Sequence, residues 1–163
     1  MNIVSNSKAV YINLTIIILI FILDRLTKLY VIYLDKINSG SEIFSSKLLN
    51  VYLIWNEGIA FGLFSFNDHF YYNSLTGIIV IVTLIIFFFM IKTKGVEKYC
   101  FIMILGGSLG NIFDRLYYTA VPDFIDIHYQ SFHWFIFNVA DIFITTGVLL
   151  LISLELFFKK KTK

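Results

Sequence analysis

Four apolar runs dominate the chain, and each is near the ~20 residues that cross a hydrocarbon core as a helix. They cover Tyr11–Leu34, Leu75–Ile91, Tyr99–Tyr117 and Phe135–Phe158. The first is interrupted by Asp24, Arg25 and Lys28, and the second has no charge between Asp68 and Lys92. The third ends on Asp114 and Arg115, and the fourth holds Asp141 near its start and Glu155 near its end. Two longer polar stretches, residues 35–74 and 118–134, separate these runs. In the first, Leu48–Trp55 is β-rich, Asn56-Glu57-Gly58 has turn chemistry and Ile59–Phe64 is a second short apolar run. That order predicts a small hairpin or curved sheet. Val121–Tyr129 in the second stretch reads as extended, and Phe64, Phe66, Phe70, Tyr71 and Tyr72 read as an interfacial aromatic belt. The fold class predicted is membrane all-α: one domain over residues 1–163, a four-transmembrane-helix bundle with a small extracytoplasmic β-cradle.

Composition agrees with that pattern. Of 163 residues, 58% are hydrophobic, 15% are charged and one is proline, and the mean hydropathy is +0.81. A soluble domain of this size does not carry such a balance. Lys8 followed by Tyr11–Leu23 imitates a cleaved signal peptide, but apolar character resumes after Lys28 with no small-x-small site, so a span is the better reading. Lysines orient the bundle. Lys8, the Lys92, Lys94 and Lys98 group, and Lys159, Lys160, Lys161 and Lys163 lie on one side. The positive-inside rule then places both termini in the cytoplasm and the two longer loops outside. A single cysteine, Cys100, allows no internal disulfide, and no basic surface for nucleic acid is evident.

The candidate chemistry lies between Gly106 and Asp141. Asp123, before the fourth run, and Asp141, just inside it, fall on the same outer face under that orientation. Two carboxylates held together cannot both ionise cheaply and so share a proton, which equips a pair for acid–base peptide hydrolysis. The plainer reading is a loop aspartate and a helix-start aspartate at its favourable dipole end, and Asp126 competes with Asp123. Asn111, Asp114 and Arg115 share one helix face, as do Asn138 and Asp141. Asp114 with Arg115 reads as an ion pair ending the third span, and Arg115 as a group able to hold substrate. Asp24 and Lys28 form an i,i+4 pair near mid-span, with a tie from Asp24 to Arg115 or to backbone. Arg25 snorkels or pairs locally. The G-x-S-x-G of Gly106–Gly110 lies within a predicted helix, where small residues serve close packing rather than a nucleophile elbow. Asp126, His128 and His133 match no strong metal spacing, and with His69 the histidines read as interfacial. No cofactor or metal is called for.

Together these segments resemble lipoprotein signal peptidase (signal peptidase II), a family of bacterial membrane aspartic peptidases. The resemblance rests on DRLTK from Asp24, WNEGIAFG from Trp55, GGSLGNIFDRL from Gly106, VPDFIDIH from Val121 and FNVAD ending at Asp141. It implies removal of signal peptides from diacylglyceryl-modified prolipoproteins, cutting before the lipidated cysteine. Asp123 and Asp141 fall at the family's catalytic aspartates. Asp24, Lys28, Asn56, Asn111, Asp114, Arg115 and Asn138 fall at its supporting polar positions, and Gly58, Ala60 and Phe61 in its first-loop segment. Pro122 stands where the family usually has valine, Arg25 where glutamine is common, Ile136 where proline is common and Ile142 where a small polar residue is common.

The expectation is an aspartic endopeptidase in the bacterial inner membrane. It is monomeric, in contact with membrane lipids, binds no nucleic acid and has its site near the outer face. Two alternatives stand beside it. One is a small transporter or proton relay, which calls for acids staggered through the bilayer rather than clustered at one surface. The other is an inactive homologue that binds lipopeptides without cutting.

Overall fold

The computed structural model of the chain describes residues 3–58 and 69–158. Helix α1 runs Ile3–Ile37, α2 His69–Lys92, α3 Val96–Tyr118 and α4 Val139–Ser153. A single π-helical turn, Leu154–Phe158, continues α4. At 1.5 Å per residue α1 is about 50 Å long, longer than a ~30 Å hydrocarbon core.

The burial pattern of α1 inverts that of a soluble helix. Its buried residues are Ile17, Ile20, Asp24, Arg25, Lys28 and Val31, spaced three and four apart along one face. Its exposed residues include Ile18, Leu19, Ile22, Leu23, Leu26 and Leu29. Charges turned inward and aliphatic side chains turned outward make sense only against lipid. The same holds on α2, where Thr76 and Thr83 are buried while Ile78, Ile81, Phe88 and Phe89 are exposed.

Three helical stretches are long and apolar enough to cross a membrane: Lys8–Ile37, Phe70–Lys92 and Val139–Phe158. The third expected span, α3, does not reach that composition. It carries Glu97, Lys98, Asp114 and Arg115 together with Gly106, Gly107, Ser108, Gly110 and Asn111. The reason is its place in the bundle. Helix α3 packs against α1, α2 and α4, so much of its surface meets protein where the other helices expose aliphatic side chains.

Glycines allow that packing. A Cβ on Gly106 would stand 2.8 Å from Ile20, and one on Gly107 would stand 2.5 Å from the Ala140 carbonyl oxygen. A Cβ on Gly110 would strike the Asp24 carboxylate. The G-x-S-x-G stretch is therefore a packing surface inside a continuous helix, as the sequence suggests. Cys100 is buried at the other end of α3, with its Sγ 3.7 Å from the Val96 carbonyl oxygen.

The two loops join in one antiparallel sheet of order β1-β2-β3-β4. The strands are β1 (Phe44–Ser45), β2 (Leu49–Asn56), β3 (Val121–Tyr129) and β4 (Phe132–His133). The expected extended segment is β3 itself. The expected small sheet is present, with β2 paired to β1 and, across the molecule, to β3. The run Ile59–Phe64, including Ala60 and Phe61, lies outside the described residues. A register shift between Val51 and Ile54 kinks β2 and sets Ile54 opposite Asp123 and Asn56 opposite Val121.

Two further expectations are corrected. Helix α4 begins at Val139 rather than at Phe135. Phe137 instead bridges to Ile125, so Asn138 precedes the helix. Of the aromatic belt, Phe70 and Tyr71 are exposed but Tyr72 is buried, because its ring lies under the Arg115 guanidinium. Phe64 and Phe66 lie outside the described residues.

Gly107→Ala is expected to destabilise the bundle by ~1–3 kcal/mol, since backbone of α4 must move to admit the methyl group. Thermal unfolding in detergent measures it, and an unchanged midpoint would refute the close α3–α4 contact.

Candidate active site

A buried ionic group ties α1 to α3. Lys28 donates through Nζ to Asp24 Oδ2 at 2.9 Å, Asn111 Oδ1 at 2.8 Å and Asp114 Oδ2 at 2.7 Å. An ammonium has three hydrogens, and all three are used. Arg25 forks onto both oxygens of Asp114 and reaches Asp24 Oδ2 at 2.9 Å. The side chains of Asp24, Lys28 and Asp114 have no solvent exposure. Asp24 Oδ1 also accepts the Ala140 backbone N–H of α4 at 3.0 Å, so the ionic group as a whole joins three helices. The expected Asp24–backbone tie is therefore present.

The expected Asp114–Arg115 pair is corrected. Asp114 faces α1, where Arg25 and Lys28 hold it. Arg115, the next residue, points elsewhere: its Nη2 donates to the Gly58 carbonyl oxygen and its guanidinium lies 5.5 Å from the Tyr72 ring centre. Arg25 does not snorkel but pairs locally with Asp24, the other arrangement its sequence context allows, and is buried among Asp24, Asp114 and the rings of Phe21 and Phe113.

From that group the hydrogen bonds run to Asp141. Asn111, oriented by Lys28, donates through Nδ2 to Asp141 Oδ1 at 2.8 Å. Asp141 Oδ2 accepts the backbone N–H of Asn138 at 3.1 Å, and Asn138 Oδ1 accepts the backbone N–H of Asp141 at 3.1 Å. This is a capping box, which satisfies two helix-end donors reciprocally. Asp141 is thereby the third residue of its helix, near its start as the sequence indicates.

Asn138 also connects Asp141 to Asp123. Its Nδ2 donates to Asp123 Oδ1 at 2.6 Å, while Asn56 Nδ2 donates to Asp123 Oδ2 at 2.8 Å. The Asn56 amide is oriented in turn, since its Oδ1 accepts the Gly58 N–H at 2.9 Å. Asp123 is 3% exposed. Burial first, and the neighbouring charge of Asp141 second, push its carboxyl up to about 7, against the lowering effect of Asn56, Asn138 and Lys28. Asp126, the competitor for Asp123, bonds instead to His133 and Asn50.

Both carboxylates open onto one cavity of about 520 Å³, shared with Asn56, Gly58, Ser108, Asn111 and Arg115. Its remaining wall is largely aliphatic, from Ile79, Val82 and Ile86 of α2, Ile104 of α3 and Ile144 and Val148 of α4. A second cavity, about 230 Å³, reaches Asp141 from the other flank of α4 past Trp134, Phe135, Phe137 and Ile142. Arg115 Nη1 is buried with no partner among the described residues. Pro122 is fully buried opposite Trp55. Phe137 and β4 join β3 only from Phe124 onward, so Pro122 sits where one strand edge lacks a neighbour, a position that tolerates proline.

The ten residues singled out in the sequence thus form one connected arrangement. Arg25 and Tyr72 were not given their observed places in it. An arginine beside an aspartate in mid-span was the available signal for the first. Nothing in the sequence separates Tyr72 from its exposed neighbours.

Comparison with known proteins gives one answer. The signal peptidase (SPase) II family profile matches residues 16–158. A lipoprotein signal peptidase of Pelagibacter ubique is 52% identical over 96% of this chain and 94% of its own. One from Anaplasma phagocytophilum is 37% identical over 89% of this chain and 92% of its own. A solved bacterial membrane enzyme superposes with a TM-score of 0.70 at 25% identity, covering 90% of this chain and 93% of that one.

Two outcomes follow from this arrangement. Lys28→Met leaves Asp24 and Asp114 short of a buried counter-charge and is expected to cost ~3–5 kcal/mol, while Lys36→Met on the exposed end of α1 changes little. Thermal unfolding of the two variants compares them. For Asp123, the folded chain holds a proton up to about pH 7 that the unfolded chain releases near pH 4. Stability therefore declines as pH rises through that window. Unfolding midpoints between pH 5 and 8 are expected to fall less in Asp123→Asn than in the unsubstituted protein.

Proposed function

This chain belongs to the signal peptidase II family, and we propose that it is an aspartic endopeptidase that removes signal peptides from diacylglyceryl-modified prolipoproteins, cutting before the lipidated cysteine. It is a bacterial membrane protein. Residues 1–163 act as one membrane domain with α3 as a fourth, protein-lined span. Both termini face the cytoplasm and the cradle and its aspartates lie near the outer surface. The chain works as a monomer in contact with lipid. The lysine distribution supports that orientation, and the inward-charged, outward-aliphatic helices support the embedding.

The observation that carries the catalytic assignment is the link through Asn138. One residue donates its side-chain amide to Asp123 and its backbone N–H to Asp141, setting two carboxyl groups together at the rim of an aliphatic cavity. The pair shares one proton, and in one of its two arrangements Asp123 carries it. Asp141, which receives the Asn111 amide and the Asn138 N–H, takes a proton from water as that water attacks the scissile carbonyl carbon. Asp123 gives its proton to the carbonyl oxygen, so the tetrahedral intermediate forms as a neutral diol. Collapse returns a proton to Asp123 from a diol hydroxyl and transfers the Asp141 proton to the departing amine, which restores the starting pair. The titration belongs to the pair as a unit.

Supporting groups have separable roles. Arg115 is tied to Gly58 by one terminal nitrogen, and its Nη1 is left to donate to a substrate carbonyl. Asp24, Arg25, Lys28 and Asp114 touch no substrate and instead hold Asn111 and the start of α4. The aliphatic walls on both flanks of α4 suit a substrate that presents an apolar signal segment and two acyl chains.

Asp123→Asn and Asp141→Asn are each expected to lower cleavage of a diacylglyceryl-modified prolipoprotein by at least ~10³-fold, with the folded protein retained. Full cleavage by either variant refutes the pair. For the active protein, cleavage is expected to fall as pH rises through about 7, because the proton that the pair shares is lost there. A rate that stays flat to pH 9 contradicts the assignment of that proton.

A further inference from the structure

Three donor side chains converge on the sheet, on the side away from the aspartate pair. Successive residues of β3 point to opposite faces, so Asp126 and His128 share a face and Asp123 lies on the other. The β3–β4 pairing sets His133 directly opposite His128. Their rings stack at 5.0 Å, and His133 Nδ1 lies 2.9 and 3.1 Å from the two oxygens of Asp126. One ligand atom from each of the three residues falls within 4.8 Å of the other two.

Two features of this cluster call for something more than a hydrogen bond. The Asp126 side chain has no solvent exposure, yet no lysine or arginine pairs with it among the described residues. Its polar neighbours are His133, the Asn50 amide at 3.5 Å and the Tyr52 phenol. Its one ion-pair partner among the described residues is His133, a cation only when protonated, and a buried carboxylate that lacks a full counter-charge is costly. Nδ1 of His128 is also buried and has no partner among the described residues. A buried imidazole nitrogen without a partner, beside a buried carboxylate and a third ligand, describes a cation site.

We propose that Asp126, His128 and His133 bind one divalent transition-metal ion, with zinc as the best match. Two imidazoles and one carboxylate favour zinc, cobalt or nickel over magnesium or calcium, which take oxygen ligands. Ligands bonded to zinc at about 2.0–2.2 Å stand roughly 3.0–3.5 Å apart, so the Asp126–His133 pair already has nearly the spacing of one edge of the site. The His133 side chain is 51% exposed, which gives the ion a path in and leaves its fourth position to water. The ion acts as a staple. It joins the tip of the β3–β4 hairpin to the strand that carries Asp123 three residues earlier, and it takes no part in the cleavage chemistry.

The test uses full-length protein in detergent, free of any affinity tag and treated with chelator, titrated with Zn²⁺ by calorimetry and with Co²⁺ by visible absorption. One equivalent is expected to bind, to raise the thermal midpoint, and, for Co²⁺, to show d–d bands of a low-coordinate N/O site. His133→Ala, at an exposed position that leaves folding intact, and His128→Ala are each expected to weaken binding by at least about 10-fold. Asp123→Asn with Asp141→Asn is expected to leave binding unchanged. Absence of saturable binding at 100 µM-scale metal, as an order of magnitude for a real site, overturns the proposal. So does binding by either histidine variant as tight as that of the unsubstituted protein, and so does loss of binding in the double aspartate variant, which would place the ion at the other site. None of these readouts depends on cleavage, so the metal site can fail while the peptidase reading stands, and the reverse.

Discussion

Removing four charges from both water and lipid is the constraint on which this protein depends. Asp24, Arg25, Lys28 and Asp114 are buried together, with every Lys28 hydrogen and both Asp114 oxygens used. Breaking such a group leaves an uncompensated charge in a low-dielectric interior, which costs more than the intact group contributes. The group therefore fixes one arrangement of α1, α3 and α4 more than it adds stability. That arrangement is what the site needs, because Lys28 orients Asn111 and Asp24 anchors the first turn of α4.

Two levels of positioning follow from it. The helices set Asp141 through Asn111 and through its own capping box. The sheet sets Asp123 through the β2–β3 register, with Asn56 brought alongside it. Asn138 joins the levels, since it caps α4 and donates to Asp123. A cap normally serves its helix alone. Here the same residue ties a strand to a helix, which explains why an asparagine, with both an acceptor and two donors, occupies the position where serine would cap equally well.

Glycine and apolar surface complete the scheme. Gly106, Gly107 and Gly110 bring α3 close enough to α1 and α4 for short side chains to meet across the interface. Outward-facing aliphatic residues leave the bundle soluble only in lipid, where a lipidated substrate also resides. The cavity that both carboxylates share is lined by the same types of residue.

Run length and hydropathy alone determined the helices to within a few residues at most ends, because crossing a membrane fixes both quantities physically. Residue chemistry and motif order picked out Asp123, Asp141 and the eight polar or glycine positions around them. Partners were not legible. Asp114 and Arg115 are adjacent in sequence yet turn to different neighbours, because a helix rotates about 100° per residue and only packing decides what each direction meets. Leu49–Asn56 pairs with a strand some seventy residues later, and no local pattern encodes a partner at that distance. Asp126, His128 and His133 have no recognisable metal spacing in sequence. Only the fold-back of β4 onto β3 places two of them opposite each other and beside the third, since strand pairing, and not sequence separation, sets which side chains can share one ion.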